Sequence, residues 1–234
     1  MTEDLPLHTL VFDLDDTLYP ERDFVASGFR AVDLWLKECH GIQCFHETAG
    51  KIFEQGRRGR IFDEALLLLG IEPKAELVAG MVTAYRVHEP RIGLFPDAQE
   101  ILGWAAPRFR LGLITDGYGE VQAGKIRALG LDKTIDCRVI TDEIGREFWK
   151  PSPEPYRRVM DRLSGPAEGY LYVGDNAHKD FIGARSLGWR TARIRRPLGD
   201  HSAYAGGPAE SADHEIQSLL ELKKLVFLKR THPY

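Results

Sequence analysis

The residues best suited to chemistry in this 234-residue chain lie in Leu10-Val-Phe-Asp13-Leu-Asp15-Asp16-Thr17-Leu18-Tyr19-Pro20. An apolar run over residues 8–12 predicts a short buried strand. It ends abruptly in three carboxylates and a threonine. Buried like charges repel and lose hydration, so such a cluster is poor core material unless something compensates it. A divalent cation would. At the carboxyl end of a strand in an open α/β sheet, the cluster also sits where ligands bind. The stretch reads as an active site rather than a packing feature.

Three later segments carry polar groups of matching chemistry. Thr115-Asp116-Gly117 follows an apolar run over residues 111–114. Lys150 stands in Trp149-Lys150-Pro151-Ser152-Pro153-Glu154. Gly174-Asp175-Asn176-Ala177-His178-Lys179-Asp180 follows the apolar residues 171–173. A parallel sheet brings strand ends to one rim, so these groups can converge. Each fragment alone is a weak signal; all of them in this order, at strand exits or the turns beyond, make a strong one. The side chains of Asp16 and Asp116 read as loop or capping acids, and His178 as a helix-start or rim residue.

The elements that must position these groups follow from periodicity. After the first strand, residues 20–92 show helical segments near 24–36, 46–57, 62–69 and 73–88, with no convincing strand. Phe24, Arg30 and Trp35 have spacing that suits core packing. From Pro96 the texture becomes strand–helix alternation, with strands near 109–115, 137–140, 169–173 and 190–194 and helices near 97–105, 120–129, 153–163 and 178–187. This predicts an α/β fold with a doubly wound, mostly parallel, Rossmann-like sheet, interrupted by an all-helical insertion. Residues 195–212 read as a loop and 216–228 as a final amphipathic helix on the sheet edge. The domains are then 1–19 with 93–234, and 20–92.

Composition narrows the function. The chain is 43% hydrophobic and 28% charged, with a net charge of −4. It has no basic footprint for a nucleic-acid duplex or an anionic membrane. No apolar run is long enough to span a bilayer. The amino terminus lacks the features of a secretion signal, and three cysteines make no disulfide framework, so a cytoplasmic protein is expected. Cys39, His40, Cys44 and His46 match no standard zinc spacing and read as a helix end with buried thiols. Gly117 and Gly119 suggest a dinucleotide loop, but position 122 is Gln where the third glycine belongs.

The four segments together resemble the haloacid dehalogenase-like hydrolase superfamily, whose motifs are Asp-x-Asp-x-Thr, a Thr or Ser after the second strand, a lone Lys, and Gly-Asp-x-x-x-x-Asp. The likeness covers residues 8–18 and about 93–195. The 20–92 insertion sits where that family carries a helical cap, and residues 12–20 look like the pyrimidine 5′-nucleotidase-like branch. The resemblance implies that Asp13 is a nucleophile forming an aspartyl-phosphate, and that Asp15 is the acid and base. It implies Mg²⁺ held by Asp13, the Asp15 carbonyl and Asp175. Thr17, Thr115 and the backbone N–H groups of Asp116 and Gly117 would hold substrate phosphate. Lys150 would supply positive charge at the nucleophile and phosphoryl group, and Asp180 would orient Lys150 or a metal-bound water.

On this reading the protein is a Mg²⁺-dependent phosphomonoesterase for a small phosphorylated metabolite, a nucleoside monophosphate or a sugar phosphate. It would act as a monomer or homodimer. The family's dehalogenases need no metal and lack the second aspartate, so Asp15 argues for phosphoryl chemistry. Its sugar-phosphate mutases normally carry Gly where this chain has Asp16. A mutase and a non-catalytic phosphate sensor stay as rivals. In the cap, Arg57-Arg58-Gly59-Arg60 offers cations for a substrate anion, against the plainer reading of a solvated basic turn.

Overall fold

Strand β1 (Thr9–Phe12) is buried along its whole length, the pattern of a strand covered on both faces of a parallel sheet. The computed structural model describes residues 6–226. Helices α1 (Glu21–His40), α2 (Phe45–Glu54), α3 (Ile61–Leu68) and α4 (Ala75–Val87) follow. Next come α5 (Pro96–Ala105), β2 (Arg110–Thr115), α6 (Gly119–Ala128), β3 (Cys137–Ile140) and α7 (Glu154–Leu163). The chain continues through β4 (Tyr170–Gly174), α8 (Asp180–Ser186), β5 (Arg190–Ile194), β6 (His214–Ile216) and α9 (Leu222–Leu225). The described residues up to Glu21 and from Gly93 onward form one compact unit, and Arg22–Ile92 form a second.

In the first unit the described strands make one sheet in the order β3-β2-β1-β4-β5-β6, with every pairing parallel. The order reverses at β1, which lies between β2 and β4. That reversal opens a crevice at the strand carboxyl ends, where doubly wound sheets bind ligands. The Asp13 N–H donates to the Val173 carbonyl at 2.8 Å. Asp13 thus sits one step past β1, beside the end of β4. A buried cluster that includes Val11, Ile114, Tyr156, Val159, Tyr172, Phe181 and Trp189 packs α7 and α8 onto the sheet.

The carboxyl-terminal part differs from the expected long helix over 216–228. Ile216 closes β6, which pairs with β5, and a 3₁₀ turn (Leu219–Glu221) then leads into α9. The Asp213 carboxylate accepts from the Thr191 N–H at 2.8 Å and its hydroxyl at 3.0 Å, which pins β6 to β5. A three-residue edge strand is too short to show alternation. Residues 227 and 228 lie outside the described ones.

The helical unit has its own core of Phe29, Val32, Leu36, Phe45, Ala49, Ile52, Ala65, Leu66 and Met81, with Trp35 packed against it. Phe24 is buried and Arg30 exposed. Cys39 and Cys44 are exposed, not buried as expected. The start of α2 is held instead by the Asp33 carboxylate, which accepts from the Phe45 and His46 N–H groups. The Arg57–Arg60 segment finds local partners: Arg57 pairs with Glu64 at 3.0 Å and Arg60 with Asp63 at 2.9 Å. The Arg58 guanidinium lies over the Phe53 ring at 3.8 Å.

Helix α8, which presents Asp180, packs through Gly183. A Cβ there would lie 2.6 Å from the Tyr156 ring and 2.8 and 2.9 Å from the Pro151 and Ser152 carbonyl oxygens. Two backbone oxygens cannot swing aside, so overpacking outweighs the roughly 1 kcal/mol by which Ala favours a helix over Gly. Gly183→Ala should lower stability by about 1–3 kcal/mol in urea unfolding. An unchanged midpoint would contradict this close approach.

Candidate active site

The site is organised around one buried ammonium group. Lys150 lies beyond β3, after short 3₁₀ turns at Thr141–Glu143 and Arg146–Phe148. Its side chain is 0% exposed. Its Nζ donates to Asp13 Oδ1 at 2.5 Å, Asp180 Oδ1 at 2.7 Å and the Tyr172 hydroxyl at 3.1 Å. An ammonium carries three protons, so each has an acceptor. Asp13 comes from the end of β1, Asp180 from the start of α8 and Tyr172 from the middle of β4.

Asp180 is fully engaged. Its Oδ1 also accepts from the Tyr172 hydroxyl at 3.3 Å, and its Oδ2 accepts from the Asn176 N–H at 2.9 Å. A Cβ on Gly174 would overlap its carboxylate. The glycine ahead of Asp175 therefore makes room for the aspartate six residues on.

The carboxylates of Asp13, Asp175 and Asp180 offer ligand atoms within 4.8 Å of one another, all from buried residues. Asp13 and Asp175 line the cavity at the strand ends and Asp180 does not, so these two are the acids open to a cation. Among the described residues no side chain or N–H donates to the Asp175 carboxylate. Burial, then repulsion from Asp180 and Asp13, drives Asp175 well above the usual carboxylate range. Burial likewise pushes Asp13 up to about 7, against the pull of Lys150. An oxygen-preferring divalent cation would relieve this repulsion, so the donor set fits such an ion.

Asp15 stands two residues from Asp13 in the opposite environment. Its carboxylate accepts from Lys125 Nζ at 2.6 Å, Gln122 Nε2 at 2.8 Å and the Tyr19 hydroxyl. Burial raises its pKa, but the Lys125 charge and these hydrogen bonds outweigh that and hold it below the usual range. Its carboxylate is held by α6 and also lines the cavity that Asp13 and Asp175 share.

The remaining expected residues fall into two sets. Thr115 and Asp116 line a cavity of about 110 Å³ together with Asp13, Asp15, Asp16, Glu21, Asp175, Asn176, Lys179 and His201. This is well below the roughly 300–1,000 Å³ of a site that encloses a whole ligand. The Asp116 carboxylate accepts from Thr141 Oγ1 at 2.8 Å and Lys179 Nζ at 3.0 Å, bracing the loop. Thr17, expected to touch substrate, is fully buried and outside the cavity lining. The turn that returns its N–H to the Leu14 carbonyl carries its hydroxyl back beneath Asp13 Oδ2, at 3.4 Å. Gly117 is also outside that lining. Asp16 accepts from the Glu21 and Asp200 N–H groups, a capping role. His178 stacks on Tyr204 at 3.6 Å, outside the lining.

Sequence reading missed Glu21, Gln122, Lys125, Lys179 and Tyr172. In the sequence, position 122 reads only as a missing glycine. The available signal was a polar Gln122–Lys125 pair at helical spacing, just after the Thr115 loop.

A match to the haloacid dehalogenase-like hydrolases spans residues 10–194, and the chain belongs to that family. It is 31% identical to a glyceraldehyde 3-phosphate phosphatase of Methanopyrus kandleri, over 81% of this chain and 84% of that one. It is 32% identical to (S)-2-haloacid dehalogenase 1 of a Pseudomonas species, over 70% of this chain and 68% of that one. A HAD-hydrolase from Bacillus subtilis, solved bound to magnesium, shares the fold with a TM-score of 0.70. That structure is 22% identical and is matched over 96% of this chain and 100% of its own.

The electrostatics give a pH signature for the metal-free protein. Burial, then the Asp15 charge, also pushes Glu21 up, to about 8. Unfolded, these acids titrate near 4. The folded chain therefore binds more protons between those limits, and stability rises as pH falls from about 9 to 7. Asp15 and Asp116, held low, lose stability only in acid. Lys150, held high by Asp13 and Asp180 against its burial, loses stability only in stronger alkali. Burial lowers His8, His88 and His201, which matter only near and below about 6.5. With chelator present, the urea midpoint should be higher at pH 7 than at pH 9, with a smaller gain in Glu21→Gln. An equal gain in the variant would contradict the assignment to Glu21.

Proposed function

We propose that the protein is a Mg²⁺-dependent phosphomonoester hydrolase acting on a small phosphorylated metabolite through Asp13. The observation that carries this reading is the pairing of two differently tuned carboxylates, Asp13 and Asp15, at the end of β1, beside a cation-ready Asp175. A halide leaves carbon without a proton, whereas the alkoxide released from a phosphomonoester needs a proton donor. The phosphatase relative supports a phosphorylated substrate, and Asp15 argues against the chemistry in the dehalogenase relative's name.

Asp13 attacks phosphorus and the bond to the leaving oxygen breaks, giving an aspartyl-phosphate and an alcohol. Asp15 gives the alkoxide its proton. Arrival of a phosphate dianion beside Asp15 favours the protonated form that this step uses. Asp15 then takes a proton from water as the water oxygen attacks phosphorus, the bond to Asp13 breaks, and inorganic phosphate leaves. Lys150 keeps Asp13 oriented and supplies positive charge beside the transferring group. Thr115 lines the cavity and accepts from Gln122 at 2.5 Å, which leaves its own proton to donate to a phosphate oxygen. Mg²⁺ held by Asp13 and Asp175, with the Asp15 carbonyl, would neutralise crowded charge and let the anionic phosphate approach. The helical unit Arg22–Ile92 would be the cap that selects the substrate, since the cavity at the strand ends has room for little beyond the phosphoryl group.

A panel of sugar phosphates, nucleoside monophosphates and an aryl phosphate tests this. Phosphate release should require Mg²⁺, stop with chelator and be lost in Asp13→Asn. Asp15→Asn should cost about 10²–10⁴-fold on alkyl phosphates. Chloride release from a 2-haloacid without metal, and no phosphate release, would overturn the reading in favour of the dehalogenase chemistry.

A further inference from the structure

Helix α6 buries a glutamine and a lysine where a helix on a sheet normally buries apolar groups. Gln122 is 1% and Lys125 4% exposed. Their spacing puts both on one face, and that face meets Asp15. Lys125 Nζ holds Asp15 Oδ1 at 2.6 Å, while the Gln122 amide nitrogen reaches Asp15 Oδ2 at 2.8 Å and Thr115 Oγ1 at 2.5 Å. With the Tyr19 hydroxyl also on Oδ1, both carboxylate oxygens are fixed from separate directions.

Stability alone is a weak reason for such a cluster, because a buried lysine–carboxylate pair often does no better than apolar residues of the same volume. Proton transfer gives a stronger one. A misplacement of about 1 Å at a reacting group can cost about 10²-fold. We infer that Gln122 and Lys125 are positioning residues that fix the Asp15 carboxylate for proton transfer and tie it to the phosphate-holding Thr115. The inference rests on the phosphatase reading of the site.

With 4-nitrophenyl phosphate the leaving group needs no protonation, so forming the phosphoenzyme does not depend on Asp15. Breaking it down does. Loss of the positioning contacts therefore separates the two halves of the cycle. In Gln122→Met and Lys125→Met, kcat on this ester should fall by about 10²-fold while kcat/KM stays within about fivefold. A burst of one nitrophenolate per enzyme should precede the slow phase. Lys125→Arg, which keeps charge and donors, should recover most of kcat. Should Lys125→Met fail to fold, Gln122→Met carries the test, since it removes no charge.

Equal losses in kcat and kcat/KM, or no loss in either, would overturn the positioning role while leaving the phosphatase reading intact. Absence of turnover of any phosphate ester by wild type would overturn both.

Discussion

The site depends on placing one ammonium group where water cannot reach it. Lys150 is enclosed by Asp13, Asp180 and Tyr172, which come from three different elements. A buried charge of this kind is tolerable only when every proton has an acceptor. The strand ends, the first turn of α8 and the loop after β3 must therefore meet in one arrangement. The parallel order around β1 makes that meeting possible, because β1 and β4 are neighbours at the point where the strand order reverses. Gly174 and Gly183 then let Asp180 and its helix come close enough.

Around this centre, acids close together in sequence are driven apart in character. Burial, then repulsion from neighbouring carboxylates, raises Asp175, and burial raises Asp13 against the pull of Lys150. Asp15, two residues from Asp13, is gripped by Lys125 and held low. Pairs of titratable groups pushed in opposite directions are the usual signature of divided chemical roles. Here burial, reinforced by Asp180 of α8, outweighs Lys150 at Asp13, whereas the Lys125 cation of α6 and its hydrogen bonds outweigh burial at Asp15. The same division explains why a cation suits Asp13 and Asp175, while the Asp15 side chain is already satisfied.

Much of this was legible in the sequence. Asp13, Thr115 and Asp175 stand out because each closes an apolar run where core packing does not require it, while Lys150 is marked by its proline-rich surroundings and Asp180 by its spacing from Asp175. The parallel alternation is visible because apolar runs at β2 and β4 and shorter ones at β3 and β5 alternate with helices from α5 onward. Some of the rest depended on contacts between distant segments. Gln122 and Lys125 look like surface residues of an amphipathic helix until the helix is seen to turn that face onto Asp15. Tyr172 looks like one more core residue of a buried strand. The three residues of β6 carry no periodicity, so the sequence alone places Ile216 in a helix. Thr17 belongs to the motif but serves it from below, a placement decided by one turn of backbone.

In the proposed reaction Asp13 carries the phosphoryl group. During turnover of an aryl phosphate with Mg²⁺, acid quenching followed by borohydride reduction converts an aspartyl-phosphate to homoserine, which peptide mass spectrometry locates. This conversion should occur at Asp13 alone, and not without substrate. Phosphate release with Asp13 unmodified, or conversion at another carboxylate such as Asp175, would contradict it.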